Sequence, residues 1–450
     1  MDITDHQMKS DQEDVNRRRD LGVHLTPEDI FQRYIYPMIS DKLYHYAWMD
    51  LFCGEGNLIL PILNYIPYED RVPFFSKHIF MFDIQEEMIE RAVKRSKEYG
   101  IPEDIASRNI RKNDSLANYP KIESDFPPFH ITNPPYLYIG YIAKRKVERL
   151  MRYFNSENSG LQDLYQIALA NDLRNGIERM IYILPTNFIF SEAGSNFARR
   201  MILSSYTIKE ALLFERRIFH HTGMNVGIFH FSRITGNNDN IDFRARKIGT
   251  NERSITYSLK KSNDYRAGAG FDDYVRSHRR EGNFDAGFYL HYEDLLMNSG
   301  ENEVLLVNSK EYDGRTYRVE RFLVNEWMYS RIMNNPLFVR TIDSGRWDGR
   351  AGLYPVRDFF DADGVYVRGQ TYRTNPIQIF LRPEIDAKMA LKLGKVFNER
   401  LEMLRASLDS DFMTTYKYTD SSPYVRKYLG LKHVRNLINT ISPADLEGHE

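Results

Sequence analysis

Four consecutive residues, Asn133-Pro134-Pro135-Tyr136, have the types and spacing that a site for a planar amine would need. Each proline fixes its own φ near roughly −65° and lacks a backbone N–H, and the residue before a proline is kept out of the α region. The loop is therefore stiff, and it presents amide and carbonyl oxygens beside an aromatic ring. Such a loop suits a nucleobase with an exocyclic amine, although a strand that ends in a tight turn with a packed tyrosine would show the same residues.

A glycine-containing loop lies upstream of these four residues. The apolar stretch from Ala47 to Met49 runs into Asp50, and a Gly-x-Gly turn follows within Phe52-Cys53-Gly54-Glu55-Gly56-Asn57. Glycines let a backbone approach a ligand closely and adopt φ values that other residues avoid. The third glycine of the dinucleotide fingerprint is missing, and a lone Gly-x-Gly also fits any tight strand-to-helix turn.

Two acidic residues follow further apolar stretches. Asp83 comes directly after the strand predicted at 78–82, where a carboxylate can accept from ribose hydroxyls or cap the next helix. Asp114, in Asn113-Asp114-Ser115-Leu116, can accept from an adenine amino group or form an Asx turn. Both acids therefore become candidate ligands for a nucleoside.

Alternating strands and helices would position these polar residues. Strands are predicted at 47–49, 78–82 and 129–132, with helices at 58–63 and 86–99 between them, and Thr26 is predicted to cap a helix that begins with Pro27. This alternation predicts a doubly wound α/β fold, in which ligands lie beyond the carboxyl ends of the strands.

Composition sets the class of protein. A chain of 450 residues is long enough for two domains, and one cysteine, Cys53, rules out an internal disulfide. The N-terminus lacks an apolar signal core and no apolar run approaches the length of a membrane helix, so a cytoplasmic protein is expected. The net charge is −1, yet Arg244–Arg280 and Arg426–Arg435 are locally basic. These runs could contact nucleic acid or simply form solvated surface.

Taken in order, these motifs resemble those of an S-adenosylmethionine-dependent amino-methyltransferase, specifically a gamma-class adenine-N6 DNA methyltransferase of the type II restriction–modification kind. The matching motifs are Thr26-Pro27, Asp50-x-Phe52-x-Gly54-x-Gly56-Asn57, Asp83, Asp114 and Asn133-Pro134-Pro135-Tyr136. The resemblance continues through a helix that begins at Asp163 and a strand that ends at Pro185, and it covers roughly residues 21–235. Asn-Pro-Pro-Tyr also occurs in methyltransferases that act on rRNA and on protein glutamine.

The resemblance implies a role for each matching residue. A Rossmann-like methyltransferase sheet would bind S-adenosylmethionine, with Asp83 on the ribose, Asp114 on the adenine and Asp50 orienting the glycine loop. The implied cofactor-binding residues are Thr26, Pro27, Asp50, Phe52, Gly54, Gly56, Asn57, Asp83, Asp114 and Asn133. For catalysis, Asn133 and Pro134 would accept the two N–H bonds of the target amine, with Pro135 stiffening the loop. Tyr136 and Phe219 would stack on a flipped-out adenine. For Phe219, a place in the core is the alternative.

The resemblance also implies a division of the chain and a set of partners. Residues 1–20 would be a charged leader, 21–240 the catalytic domain, and 245–450 a C-terminal mixed α+β domain that recognises the DNA target. Double-stranded DNA is the expected partner of a monomer, with a cognate restriction endonuclease acting separately. No metal site is expected, because His220-His221 lack further ligands.

Three alternatives stay open for the sequence. The enzyme could instead methylate rRNA or a protein glutamine, or the chain could be a non-catalytic nucleic-acid-binding relative. A third concerns Glu384-x-Asp386-x-Lys388, which superficially resembles the carboxylate–lysine motif of a nuclease, although the start of a helix is predicted there.

Overall fold

The computed structural model describes residues 26–192, 194–216, 218, 225–236, 238–249, 251–343, 350–370, 375–419 and 422–447, with backbone alone for 416–419 and 422–425. The chain divides into two compact units, Met1–Arg266 and Ala267–Glu450. This boundary falls later than the expected one between residues 240 and 245, because two further strands extend the sheet of the first unit. The basic run Arg244–Arg280 is consequently shared between the two units.

A nine-stranded sheet forms the centre of the first unit, in the order β3-β2-β1-β4-β5-β7-β6-β8-β9. Its strands are β1 (Ala47–Asp50), β2 (Ile79–Asp83), β3 (Ile110–Lys112), β4 (Pro128–Thr132), β5 (Arg179–Pro185), β6 (Tyr206–Phe214), β7 (Val226–Arg233), β8 (Asn240–Ile248) and β9 (Glu252–Lys260).

The first five strands are parallel to one another, as the doubly wound prediction requires. Strand β7 runs antiparallel to both β5 and β6, and β8 runs parallel to β6 and antiparallel to β9. The chain moves outwards from β1 through β2 to β3 and then returns to β4 on the other side of β1. The neighbouring strands β1 and β4 therefore mark a topological switch point, where ligands bind in open α/β sheets.

Helices connect these strands. They are α1 (Glu28–Ile30), α2 (Tyr36–Ile39), α3 (Arg71–His78), α4 (Glu86–Ser96), α5 (Glu103–Asn109), α6 (Ile139–Lys144), α7 (Glu148–Met151), α8 (Leu164–Arg174), α9 (Asn187–Phe190) and α10 (Asn196–Leu203). Phe31–Ile35 is π-helical, and short 3₁₀ helices span Leu43–His45, Leu60–Tyr65, Tyr68–Asp70, Lys97–Tyr99, Arg152–Phe154, Ser156–Asn158 and Lys261–Asn263.

Two local predictions in this region need correction. The helix expected at 58–63 is a 3₁₀ helix at Leu60–Tyr65, and Pro67 prevents its extension because the residue before a proline avoids the α region. The prediction that Thr26 caps the first helix is wrong: Pro27 occupies the N-cap position without a side-chain hydrogen bond. The Thr26 hydroxyl instead accepts a hydrogen bond from Asn133.

Continuous burial explains why the central strands read as apolar runs. Every residue of β1 and β2 is buried, as are the last four residues of β4 and the last six of β5. Parallel strands covered on both faces show this pattern. Polar residues within these strands are therefore exceptional, and Asp50, Asp83, His130 and Thr132 all lie beside the switch point or directly beneath it.

The second unit combines three small sheets with helices, which matches the mixed α+β expectation. The sheets have the orders β10-β17-β13-β15, β12-β11-β16 and β14-β19-β18. Their strands are β10 (Asp285–Phe288), β11 (Ser299–Tyr312), β12 (Tyr317–Val324), β13 (Leu337–Arg340), β14 (Ile342–Asp343), β15 (Gly352–Pro355), β16 (Gly364–Tyr366), β17 (Ile377–Arg382), β18 (Thr414–Thr419) and β19 (Ser422–Tyr428).

The longest helix organises the core of the second unit. The helices are α11 (Gly270–His278), α12 (Tyr292–Met297), α13 (Glu326–Met333), α14 (Val356–Phe359), α15 (Ala387–Leu408), α16 (Leu431–Ile438) and α17 (Pro443–Glu447). Side chains of α15 such as Leu393, Phe397 and Leu401 are fully buried in the main apolar cluster of this unit. Asp386 caps α15 by accepting from Met389 N at 2.8 Å, which confirms the predicted helix start.

A buried ion pair lies beside this helix. Arg405 of α15 is 4% exposed at its side chain, and its Nη2 lies 3.0 Å from the carboxylate of Asp343, which is 1% exposed. The same guanidinium pairs with Glu402 and donates to the Ala351 carbonyl at 2.7 Å.

Among the helices that the structure describes, none is long and apolar enough to cross a membrane.

Candidate active site

A cavity of about 870 Å³, counted with its open mouth, lies within the first unit beyond the carboxyl ends of β1, β2, β3 and β4. Nine of the residues predicted from the sequence line it: Thr26, Asp50, Phe52, Gly54, Asn57, Asp83, Asp114, Asn133 and Pro135. Pro27, Gly56, Pro134 and Tyr136 are not part of its lining. Phe219, His220 and His221 fall outside the described residues, so the predictions about them are untested.

Asp50 shapes the glycine loop, as the sequence suggested. Its Oδ1 accepts from Phe52 N at 3.0 Å and from the Thr132 hydroxyl at 2.6 Å, so one carboxylate fixes the loop after β1 to the end of β4. Complete burial raises the pKa of Asp50 to about 6, and the hydrogen bond from Thr132 opposes that shift.

The two glycines of this loop have positive φ values, 51° at Gly54 and 85° at Gly56. A Cβ at Gly56 would approach Leu60 Cδ1 to 2.7 Å, so space as well as backbone conformation favours glycine there. Gly54 N donates to the Asp83 carboxylate at 2.9 Å. The turn is therefore fixed to the end of β2, and Gly54 lines the cavity.

Asp83 joins the glycine loop to the end of β2. Its second oxygen accepts from Gln85 N at 2.9 Å. Because Gln85 itself occupies the N-cap position of α4, Asp83 does not cap that helix. Burial raises the pKa of Asp83, and the backbone N–H groups of Gln85 and Gly54 oppose the rise. The carboxylate lines the cavity and keeps lone pairs for a hydroxyl-bearing ligand.

Asp114 is held by side chains that sequence reasoning missed. Its Oδ2 accepts from Arg152 Nη2 and from the Tyr153 hydroxyl, each at 2.8 Å. Its Oδ1 accepts from Ala117 N at 3.3 Å, three residues further along the chain, whereas an Asx turn would use the backbone N–H two residues on. Tyr153 also lines the cavity, yet nothing in its sequence surroundings marks it as a site residue.

The Asn-Pro-Pro-Tyr loop places Asn133 at the cavity and Tyr136 behind it. Asn133 Nδ2 donates to the Thr26 hydroxyl at 3.1 Å, and Asn133 Oδ1 accepts from the Tyr136 hydroxyl. Tyr136 is 3% exposed, and its hydroxyl also lies 2.7 Å from the Ile183 carbonyl of β5. The ring that was expected to stack on a base is thus covered in this structure.

Asp163 fastens the far side of the same loop. It precedes α8, and its carboxylate accepts from Leu137 N, immediately after Tyr136, at 2.8 Å. Near-complete burial raises the pKa of Asp163 to about 7, opposed by the backbone N–H groups of Leu137, Tyr165 and Leu164. Sequence reasoning identified the helix start but not this hydrogen bond.

A hydrogen-bond network with a fully buried centre at His130 and Asp172 lies directly beneath the site. His130 Nδ1 lies 2.6 Å from Asp172 Oδ2, and the Leu51 backbone N–H donates to His130 Nε2 at 3.2 Å. The Nε2 atom therefore acts as acceptor, and Nδ1 carries the proton that faces Asp172. The hydroxyls of Tyr182 and Tyr119 donate to Asp172 at 2.5 and 2.6 Å.

This network ties three walls of the cavity to one carboxylate. Leu51 begins the glycine loop, His130 belongs to the strand that delivers Asn133, and Tyr119 closes the loop that contains Asp114. Apart from the histidine itself, no visible sequence signal marks these residues, because their partners are far apart along the chain.

Comparisons with known proteins add only distant likenesses. No protein-family model and no curated protein sequence matches the chain. Among solved structures, it is similar to the type IIL restriction–modification enzyme MmeI in complex with DNA, with 14% identity and a TM-score of 0.46 over 81% of this chain. For the type IIG restriction endonuclease BpuSI the identity is 12% and the TM-score 0.44 over 93% of this chain.

A third likeness is to the methyltransferase subunit of a type I restriction–modification system from Streptococcus thermophilus, with 16% identity and a TM-score of 0.36 over 50% of this chain. The chain spans 63%, 61% and 47% of the lengths of these three proteins. Identities and TM-scores this low carry no argument about activity, so the function rests on the site itself.

Proposed function

We propose that the protein is a site-specific DNA methyltransferase that transfers a methyl group from S-adenosylmethionine to the N6 amino group of a flipped-out adenine. The observation that carries the proposal is the meeting of two loops at the switch point. The glycine loop and three carboxylates line one cavity, and the polar residue of Asn-Pro-Pro-Tyr lies at the same cavity.

The residues of the cavity fit S-adenosylmethionine. The cofactor carries a sulfonium, an ammonium, two ribose hydroxyls and an adenine amino group, all of which carboxylates can stabilise or accept from. Asp50, Asp83 and Asp114 all line the cavity. Asp50 and Asp83 form no ion pair with a Lys or Arg among the described residues, so a cationic ligand would find uncompensated negative charge.

We assign the cofactor contacts along the cavity. Asp83 would hold the ribose hydroxyls, Asp114 the adenine amino group, and the glycine loop would leave room for the methionine part. When bound, S-adenosylmethionine supplies a methyl group on a sulfonium sulfur and leaves as a neutral thioether. Pro27, Phe52, Gly56 and Asn57 would shape this site rather than react.

Asn133 and Pro134 would position the nucleophile. The lone pair of an adenine amine is delocalised into the ring, so the amine is a poor nucleophile until both N–H bonds are held. The Asn133 side-chain oxygen and the Pro134 carbonyl would accept these two bonds and direct the lone pair towards the methyl group. The Asn133 amide is not a base at neutral pH, so the proton leaves the nitrogen after the N–C bond has formed and the S–C bond has broken.

The second unit would recognise the DNA, and a target amine inside a base pair would have to be flipped out. Stacking by Phe219 stays a prediction, because Phe219 lies outside the described residues. Protection of host DNA against a cognate restriction endonuclease is the biological role proposed for this activity.

The test is a transfer assay on three substrate classes. Purified protein is incubated with tritiated S-adenosylmethionine and, separately, with unmethylated plasmid DNA, rRNA or a protein extract. Label recovered as N6-methyladenine from digested DNA supports the proposal. Label in rRNA or protein would keep the cofactor assignment and overturn the substrate, and failure of S-adenosylmethionine to bind in calorimetry would overturn both.

A further inference from the structure

The side-chain amide of Asn133 lies between two hydroxyl groups, one at each end. Its Nδ2 donates to Thr26 Oγ1 at 3.1 Å, and its Oδ1 accepts from the Tyr136 hydroxyl. All three residues are buried, with 9% of Asn133, 6% of Thr26 and 3% of Tyr136 exposed. The protein therefore covers most of the surface of all three residues.

The two ends of an asparagine amide are not equivalent for the proposed reaction. Only the oxygen can accept an N–H bond from a target amine, whereas the NH₂ end would oppose one donor with another. A half-turn of the amide would leave it the right size and shape but unable to hold the nucleophile. Whatever fixes the orientation of this amide consequently decides whether the site can work.

Thr26 is itself fixed by the cofactor side of the cavity. Its carbonyl accepts from Asn57 Nδ2 at 2.6 Å, and the Asn57 side-chain oxygen accepts from Arg95 of α4. The threonine hydroxyl thus lies at a defined place relative to the glycine loop. Removing the hydroxyl would take this acceptor away from Asn133 Nδ2 and weaken the hold on that end of the amide.

Tyr136 can satisfy the other end without blocking it. Its hydroxyl carries one proton and has two acceptors within reach, Asn133 Oδ1 and the Ile183 carbonyl at 2.7 Å. An amide oxygen accepts two hydrogen bonds. A target amine can therefore donate to Asn133 Oδ1 beside Tyr136, or take the place of the Tyr136 proton while that proton turns to Ile183.

We propose that Thr26 and Tyr136 are positioning residues whose hydroxyls hold the Asn133 amide from both ends, with its oxygen kept as the acceptor for the target amine. The inference rests on the proposed methyl transfer and changes the part that Tyr136 plays in it. The predicted stacking role needs the aromatic ring alone, whereas this role needs the hydroxyl. The two roles make opposite predictions for the loss of one oxygen atom.

Tyr136→Phe separates the two roles in the full-length protein. The ring is retained and the hydroxyl is lost, so kcat for methyl transfer should fall by about 10- to 100-fold, as expected for a misplaced reacting group. The dissociation constant of S-adenosylmethionine should stay within about 2-fold, because Tyr136 does not line the cofactor cavity. A kcat equal to that of the unmodified protein would overturn the proposal.

Thr26→Val and Thr26→Ser test the other end of the amide. Valine keeps the shape of threonine without its hydroxyl, so kcat should fall by about 10-fold, and serine should restore it because it returns the acceptor oxygen. If the serine variant were as impaired as the valine variant, packing at position 26 rather than its hydrogen bond would be responsible.

Tyr206→Phe is the matched control. Tyr206 is fully buried in the same unit, and its hydroxyl likewise donates to a main-chain carbonyl, that of Ile177, but Tyr206 is not part of the cavity lining. Loss of the Tyr206 hydroxyl should lower the free energy of unfolding by about as much as loss of the Tyr136 hydroxyl does, but it should leave kcat unchanged. An equal fall in kcat for both variants would reduce the role of Tyr136 to general stability.

A readout without turnover tests the inference separately from the proposed function. In ¹⁵N-labelled protein, the side-chain amide of Asn133, assigned through Asn133→Asp, should be protected from solvent exchange. Thr26→Val should abolish that protection, whereas Thr26→Ser should retain it. Unprotected Asn133 amide protons in the unmodified protein would overturn the proposal that Thr26 and Tyr136 hold this amide, even if methyl transfer is found. Protected amide protons without any methyl transfer would overturn the proposed function alone.

Discussion

Buried carboxylates are treated differently in the two units of this protein. In the second unit, Asp343 lies 3.0 Å from a guanidinium nitrogen of Arg405, and both side chains are buried. In the first unit, Asp50, Asp83 and Asp163 are held by hydroxyls and backbone N–H groups, and none forms an ion pair with a Lys or Arg among the described residues.

Of these three, Asp50 and Asp83 line the cavity, whereas Asp163 does not. For Asp50 and Asp83, the difference distinguishes a carboxylate that serves stability from one that remains available to a ligand. A paired carboxylate is already neutralised, whereas an unpaired one is raised in pKa by burial and gains when a cation or donor arrives. Buried charge without a counter-charge beside a cavity thus marks a binding site. Four experiments can break or sharpen this comparison.

The largest effect is expected for the paired carboxylate. Asp343→Ala leaves the Arg405 guanidinium buried without its closest fully buried partner, so the free energy of unfolding should fall by roughly 3 kcal/mol, towards the low end of the usual range because Glu402 still pairs with it. Denaturant titration of the full chain measures the loss. Asp343→Leu combined with Arg405→Met should recover most of it, and no recovery would mean that the pair is not what stabilises this region.

The next effect concerns pH and Asp163. Burial raises the folded-state pKa of Asp163 to about 7 from its ordinary value of 3.8, so the folded protein retains a proton that the unfolded chain releases. The free energy of unfolding should therefore decrease as pH rises between about 4 and 7 and level off above. Between pH 5.5 and 7 this one group contributes a decrease on the order of 2 kcal/mol.

Asp163→Asn is the comparison that isolates this contribution. The variant cannot titrate but can still accept from Leu137 N, so its stability should decrease less over the same pH interval. Urea titrations of both proteins at the two pH values provide the measurement. Parallel pH dependences would mean that Asp163 is ionised throughout.

A smaller effect is expected on cofactor affinity. Burial raises the pKa of Asp50 to about 6, and a sulfonium in the cavity would favour the ionised form. Affinity for S-adenosylmethionine should therefore rise with pH between about 5 and 7, by on the order of 10-fold, or about 1.4 kcal/mol. Calorimetry with S-adenosylhomocysteine, which lacks the sulfonium charge, should show an affinity that depends less on pH. If the affinities of both ligands rose equally with pH, the ionised Asp50 carboxylate would not be what favours the sulfonium.

The smallest effect belongs to an exposed pair. Asp104 and Arg108 lie one helical turn apart on α5, with 3.8 Å between them and both side chains at least 70% exposed. Asp104→Asn should change the free energy of unfolding by less than about 0.5 kcal/mol and leave cofactor affinity unchanged. A larger change in the free energy of unfolding would show that an exposed carboxylate can matter as much for stability as a buried one.

Local motifs made the cavity predictable, and the structure shows why. Asp50 and Asp83 end strands β1 and β2, Asn133 directly follows β4, and the two glycines lie in the loop that follows β1, so the strand ends determine where these residues lie. Their spacing along the sequence was therefore sufficient to place them at one edge of the sheet. The extension of the sheet by β8 and β9 was missed because the strands after β7 carry no such motif.

Residues that support the site could not be predicted in the same way. The hydrogen bonds of Asp172 to His130 and Tyr119 and that of Asp163 to Leu137 join chain segments whose proximity depends on the complete fold. Thr26 was assigned to a helix cap because its local pattern fits one, but the tertiary contact with Asn133 takes its hydroxyl. In the second unit, the sequence indicated the mixture of helices and strands without any residue-level site.

The carboxylate of Asp172 has a consequence for how this protein can change over evolutionary time. One buried side chain holds His130, Tyr182 and Tyr119, and through them the glycine loop, the Asn-Pro-Pro-Tyr loop and the loop of Asp114. Loss of any one partner leaves a donor or acceptor unsatisfied in the core. Related sequences should accordingly keep or replace these four positions together, so that their covariation would record a constraint that no single position reveals.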